Sequence, residues 1–139
     1  MIRTASLLFA LGLVGTAAGP HLPAPLPMKE PEVPLELRKA QLEPAQAVYD
    51  ARKKQYEAGA ITPDSVFEWS RRLFDARIAL AASREERIAA CRAYVEETKS
   101  IEKLTKQRLD AGRAPIADYK AAEYFRVEAE ILLFKAEAK

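Results

Sequence analysis

Cys91 and His21 are the only cysteine and the only histidine in the chain. A thiol needs a nearby base to act as a nucleophile at neutral pH, and His21 stands in a proline-rich run far from Cys91 in sequence. The two residues provide neither an internal disulfide nor a transition-metal ligand set. The carboxylate pairs Glu85-Glu86 and Glu96-Glu97 are adjacent residues, which diverge on a helix, so they read as a solvated face rather than an acid–base pair. Arg71-Arg72 and Arg84 with Arg87 read as surface or salt-bridge residues rather than an anion site. No glycine-rich phosphate loop occurs, nor a strand to carry one. Trp69 and the tyrosines, at helical spacing, read as core or interface residues rather than a ligand cage. The residues capable of chemistry therefore point to a non-enzymatic protein without cofactor, metal or small-molecule substrate.

The composition narrows the class further. Hydrophobic residues make up 49% of 139 residues and charged residues 30%, enough for one domain. A net charge of +2, with 22 basic and 20 acidic side chains interspersed, gives no footprint for nucleic acid. Met1-Ile2-Arg3 followed by the uncharged run "ASLLFALGLV" and the small residues "GTAAG" reads as an export signal over residues 1–18. The alternative is an uncleaved N-terminal anchor. The run is short for a membrane span, so contact with a membrane is expected to be indirect. Residues 19–34 follow as a linker, with six of the nine prolines between Pro20 and Pro34. The expected location is secreted or periplasmic, where Cys91 is read as a small buried helix residue.

From Leu35 to Lys139 the strong helix formers dominate, interrupted by only two glycines, Gly59 and Gly112, and three prolines, Pro44, Pro63 and Pro115. The expected fold is all-α, with residues 35–139 forming coiled-coil-like antiparallel hairpins. A first helix runs from Leu35 or Glu43 to Ala58, with Pro44 kinking or opening it. A second runs from Pro63 to Ala111, and a third from Pro115 to Ala138. No glycine or proline lies between Asp64 and Ala111, so the second helix is expected to be one rod roughly 70 Å long at 1.5 Å per residue. Glycine at 59 and 112 can enter the left-handed conformation and end a helix. Thr62 is expected to cap the second helix, with Pro63 in its first turn, and Ser65 with Glu68 offers a competing capping box.

The chain also matches itself at a shift of 53 residues. Lys53 falls on Lys106, Glu57 on Asp110, Ala58-Gly59 on Ala111-Gly112, Ile78 on Ile131 and Leu80 on Leu133. This is one unit, helix–Ala-Gly turn–helix, used twice around a shared central helix. Val66, Trp69, Leu73, Ala76 and Leu80 form a seam at 3-4 spacing. In the third helix Ala122, Phe125, Ala129, Leu132 and Ala136 do the same. A second stripe, with Phe67, Phe74, Ile78, Ile88 and Val95 as its helix–helix interface residues, would stay wet in a rod two helices thick. Each large side chain is worth about 1.5–3 kcal/mol when buried, so other helices should cover the stripe. The cover is expected from identical chains or a helical partner. The alternative is that the central helix breaks and the rod folds on itself.

The repeated unit resembles a motif of the outer-membrane efflux protein (TolC-like) family. There a long periplasmic helix ends in an aromatic-x-Ala-Gly pattern, followed by a small polar residue, an aspartate, a hydrophobic residue and an alanine-spaced helix. "YEAGAITPDSVFEWSRRLFDA" matches through Tyr56, Ala58-Gly59, Thr62, Val66 and Ala76. "LDAGRAPIADYKAAEYFRVEA" matches through Ala111-Gly112, Asp118, Tyr119 and Ala129. The resemblance covers Gln41 to Ala136 and implies extracytoplasmic hairpins whose turns meet the hairpins of a partner. Ser65 replaces the family's aspartate, Pro115 replaces its small polar residue, and no alternating segments for a membrane barrel are present. A shared central helix would also put the two turns at opposite ends, whereas the family gathers them at one.

The function expected from the sequence is an exported structural or adaptor protein of the cell envelope, assembling with itself or with a helical partner. The alternative is a component associated with an outer-membrane efflux or transport assembly. The tip residues Gly59, Ala60, Ile61 and Thr62, with Gly112, Arg113, Ala114 and Pro115, are the candidate contacts.

Overall fold

The structure, a computed structural model, describes residues 32–138. The export signal, the linker before Glu32, and His21 lie outside the described residues. The described chain is all-α, with four helices in the order α1 (Leu35–Glu57), α2 (Asp64–Leu80), α3 (Arg84–Asp110) and α4 (Ile116–Ala138). Pro44 is carried inside α1 rather than opening it. It costs the helix one backbone bond, because its nitrogen has no hydrogen to donate.

The helices end where the glycines stand, and the two ends are built alike. Gly59 has φ 79° and Gly112 φ 67°. At the first corner Gly59 N donates to the Tyr56 carbonyl and Ala60 N to the Gln55 carbonyl. At the second, Gly112 N donates to the Leu109 carbonyl and Arg113 N to the Arg108 carbonyl. This paired pattern closes a helix with a left-handed residue and satisfies carbonyls that would otherwise lack partners. Thr62 does not cap the α2 backbone; its hydroxyl donates to Asp64 Oδ2 at 3.3 Å. The Pro63 carbonyl instead receives Val66 N and Phe67 N.

The unbroken central helix requires correction. The stretch from Asp64 to Asp110 is two helices, α2 and α3, joined through Ala81, Ala82 and Ser83. Ala81 is extended, with φ −65° and ψ 110°. Ser83 caps α3: its hydroxyl accepts from Glu86 N, while the Glu86 carboxylate accepts from the backbone N–H groups of Ser83 and Ala82. This reciprocal box satisfies donors that an interrupted helix would otherwise leave bare. The break needs no glycine or proline, which is why a reading based on helix breakers passes over it. Helix α3 runs without interruption from Arg84 to Asp110.

With the break, the chain runs up, down, up, down. Helices α1 and α2, α2 and α3, and α3 and α4 pack along one another. One part of the core gathers Tyr49 and Tyr56 of α1, Val66, Phe67 and Leu73 of α2, Ile101 of α3 and Ala122 of α4. The other gathers Phe74, Cys91, Tyr94, Val95 and Ala129. Alanines at 122 and 129, both fully buried, let α4 approach its neighbours closely. A polar clasp ties three helices: Arg77 donates to Glu97 at 2.7 Å and to Gln46 Oε1 at 2.8 Å, while Ser70 donates to Glu97 at 3.3 Å.

Candidate functional site

The tip residues come from both glycine corners, and the structure brings the corners together. Arg108, one turn before Gly112, donates through Nη1 to the Tyr56 carbonyl at 2.7 Å. Its guanidinium carbon lies 4.6 Å from the centre of the Tyr56 ring. The Tyr56 hydroxyl pairs with Thr105 Oγ1 at 2.8 Å. A cation at the C-terminal end of α1 also complements the negative end of the helix dipole. The expectation that the corners sit at opposite extremities is therefore corrected: they share one end of the bundle, because the α2–α3 bend returns the second hairpin alongside the first. Gly59, Ala60, Thr62, Gly112, Arg113 and Pro115 are exposed there, and Ile61 and Ala114 are half-buried.

The opposite end holds the bend and the outer ends of α1 and α4. Arg38, near the start of α1, donates to the Ala79 carbonyl, and Arg84 donates to the Glu137 carbonyl at 2.6 Å.

The second apolar stripe is covered from within the chain. Phe67 stacks on Phe125 of α4 with ring centres 4.4 Å apart, and Phe74 stacks on Tyr94 of α3 at 4.7 Å. Val95 is buried, while Ile78 and Ile88 are half-buried. Phe67, Phe74, Ile78 and Val95 pack against other helices of the same chain, so the cover expected from another chain is supplied from within; Ile88 belongs to neither core group. The alternative in which the rod folds on itself describes the observed fold.

A different apolar surface remains open, and the sequence reading did not single it out. On α4, Tyr124, Val127, Ile131 and Phe134 recur at 3-4 spacing and face outward. Phe134 is 73% exposed and Tyr124 65%. The signal was present in the spacing, but α4 carries two such stripes. The alanine-rich one, Ala122-Phe125-Ala129-Leu132-Ala136, is the one that turns inward.

Among the described residues, Cys91, Glu86 and Glu97 are each buried or held by a structural partner. Cys91 is buried in the α2–α3–α4 core, and its thiol donates weakly toward the Leu132 carbonyl at 3.9 Å. Burial, with the Glu137 carboxylate adding to it, pushes the thiol above its usual range, away from thiolate chemistry. Glu86 is engaged in the cap of α3, and Glu97 in the clasp with Arg77. No group of three or more metal-ligating side chains occurs among the described residues. Among the same residues no helix is long and apolar enough to cross a membrane.

Comparison of the chain with family models, with curated proteins and with solved structures gives no match.

Proposed function

We propose that this is an exported, non-enzymatic helical protein with a structural or adaptor role in a cell envelope, working by laying the outer face of α4 against a second helical chain, in the simplest case a second copy of itself. The observation that carries the reading is the outward stripe of Tyr124, Val127, Ile131 and Phe134. A stripe at this spacing is the form in which one helix offers itself to another. Each large side chain removed from water contributes about 1.5–3 kcal/mol at full burial. Two such faces would cover on the order of 1,000 Å², the lower bound for a specific interface. Light scattering on the purified chain across a concentration series tests the proposal. The expected mass is that of two or more copies. A variant with both Tyr124→Glu and Phe134→Glu should fall to one copy while its helical circular dichroism is kept. A single-copy mass for the unaltered chain at every concentration would remove the second copy as partner.

A second reading, a component associated with an outer-membrane efflux assembly, is favoured by one specific observation. Both Ala-Gly corners lie at the same end of the bundle, the arrangement that the resemblance to TolC-like hairpins requires of turns that meet a partner. The exposed Arg113 beside Gly112 is the charged group best placed to engage such a partner. Arg113→Glu should abolish capture of the hairpin partner in a pull-down without altering thermal stability. Unchanged capture would count against the tip as a contact.

A further inference from the structure

A concavity of about 600 Å³ opens between α2, the start of α3 and the end of α4. Its floor is apolar, made by Phe74 and Ile78 of α2, Cys91 of α3 and Leu132 of α4. Its rim is basic, with Arg71, Arg84, Arg87 and Lys135 set against the single carboxylate of Asp75. These arginines are distant in sequence from Lys135, and the α2–α3 bend is what assembles them around one hollow.

The charges around the hollow do not balance. Asp75 is held by Arg71 at 3.2 Å, and Arg71 reaches Glu128 at 3.2 Å as well. Arg84 donates to a backbone carbonyl, that of Glu137, which neutralises no charge. The Glu137 carboxylate itself is paired with Arg92 at 2.9 Å. Arg87 and Lys135 make no ion pair among the described residues. Arg84 and Arg87 stand in the first turn of α3 beside Glu85 and Glu86; the Glu86 carboxylate is taken up by the backbone N–H groups of Ala82 and Ser83. An arginine-bearing rim suits a carboxylate or a phosphate through charge-assisted hydrogen bonds, whereas the floor suits an alkyl chain. The volume falls within the ordinary range for small-molecule sites.

We propose that this hollow is a binding site for a single-chain amphiphilic anion, its carboxylate or phosphate head held by Arg84, Arg87 and Lys135 and its alkyl tail laid over Phe74, Ile78 and Leu132. The site is separate from the outer stripe of α4 and stands whether or not that stripe assembles.

Titration calorimetry on the full chain tests it with four probes: decanoate, decyl phosphate, decyl maltoside and decyltrimethylammonium, each below its micelle concentration. The two anions should bind one per chain and at least tenfold more tightly than the neutral or cationic probe. Comparing decanoate with decyl phosphate identifies the preferred head. Methyl NMR should show the shifts at Ile78 and Leu132 rather than at Val127 and Ile131. The double variant Arg87→Gln with Lys135→Gln alters two exposed side chains and should weaken anion binding at least tenfold with unchanged thermal stability. Phe134→Ser, on the outer stripe, should leave it unchanged. Equal affinity for all four probes, shifts confined to the outer face of α4, or full binding by the double variant would each overturn the proposal.

Discussion

Tyr49, Tyr94 and Cys91 share a property that decides how the fold responds to alkali. Each is held above its ordinary ionisation range, first by burial and then by neighbouring carboxylates: Glu97 for Tyr49, Glu128 for Tyr94 and Glu137 for Cys91. In the unfolded chain the thiol loses its proton near pH 8.5 and the phenols near pH 10, at about their reference values. The folded chain keeps those protons to higher pH. The unfolded state then binds fewer protons than the folded one, so stability falls as pH rises. The contribution is complete below about pH 8 and declines from there as pH climbs toward the raised folded values. Melting temperature measured between pH 7 and pH 11 should drop along this range, and Cys91→Ala should flatten the first part of the decline. A flat profile through pH 11 would contradict the burial of all three. At the same scale, the Tyr49 hydroxyl is buried without a hydrogen-bond partner among the described residues. Nothing in the sequence marked it, since an orphaned hydroxyl depends on what four helices fail to place beside it.

At the scale of the element, the two glycine corners share a bond pattern but not an environment. Both have the positive φ at which a side chain costs roughly 1–2 kcal/mol. A Cβ at Gly112 would meet open space, whereas one at Gly59 would come within 2.6 Å of Arg108 Nη2. Gly59→Ala should therefore cost more stability than Gly112→Ala in chemical denaturation, because it also pushes Arg108 off the Tyr56 carbonyl. Combining Gly59→Ala with Arg108→Ala should bring its further cost close to that of Gly112→Ala; equal costs for the two single changes would show that the Arg108 contact carries no energy. The positions of these corners were legible in the sequence, because glycine is the residue that enters this conformation freely. Their proximity was not. It follows from the bend at Ala81-Ala82-Ser83, where two alanines and a serine carry no breaker and the signal was the pair Ser83 and Glu86 three residues apart. A competing serine–glutamate pair, Ser65 with Glu68, has the same spacing but lies inside α2.

At the scale of the molecule, the bend chooses between two folds of one sequence. The all-α class, the four boundaries set by glycine and proline, and the inward stripe of α4 follow from residue type and spacing. The choice between a rod and a bundle does not, because both satisfy the same periodicities; it turns on whether the stripe carrying Phe67 and Phe74 is covered by α3 and α4 of the same chain. Replacing Ala81-Ala82-Ser83 with Glu-Ala-Lys removes the cap and supplies strong helix formers, which favours a continuous α2–α3 helix. Such a chain can still cover its stripe by exchanging hairpins with a second copy. The expected outcome is a mass of two chains and a spin-label separation between positions 59 and 112 that rises from a short distance to most of the rod's length. An unchanged short separation would mean that packing alone holds the bend.

The bundle is polar in the everyday sense: it has a back and a front. Both α1 and α4 have their outer ends at the bend, while the two glycine corners occupy the other extremity. The first and last described residues thus lie on a single side of the bundle. The corners stand away from that side by the length of the longest helix, about 40 Å at 1.5 Å per residue. The end that carries the corners is thus drawn from two distant parts of one sequence.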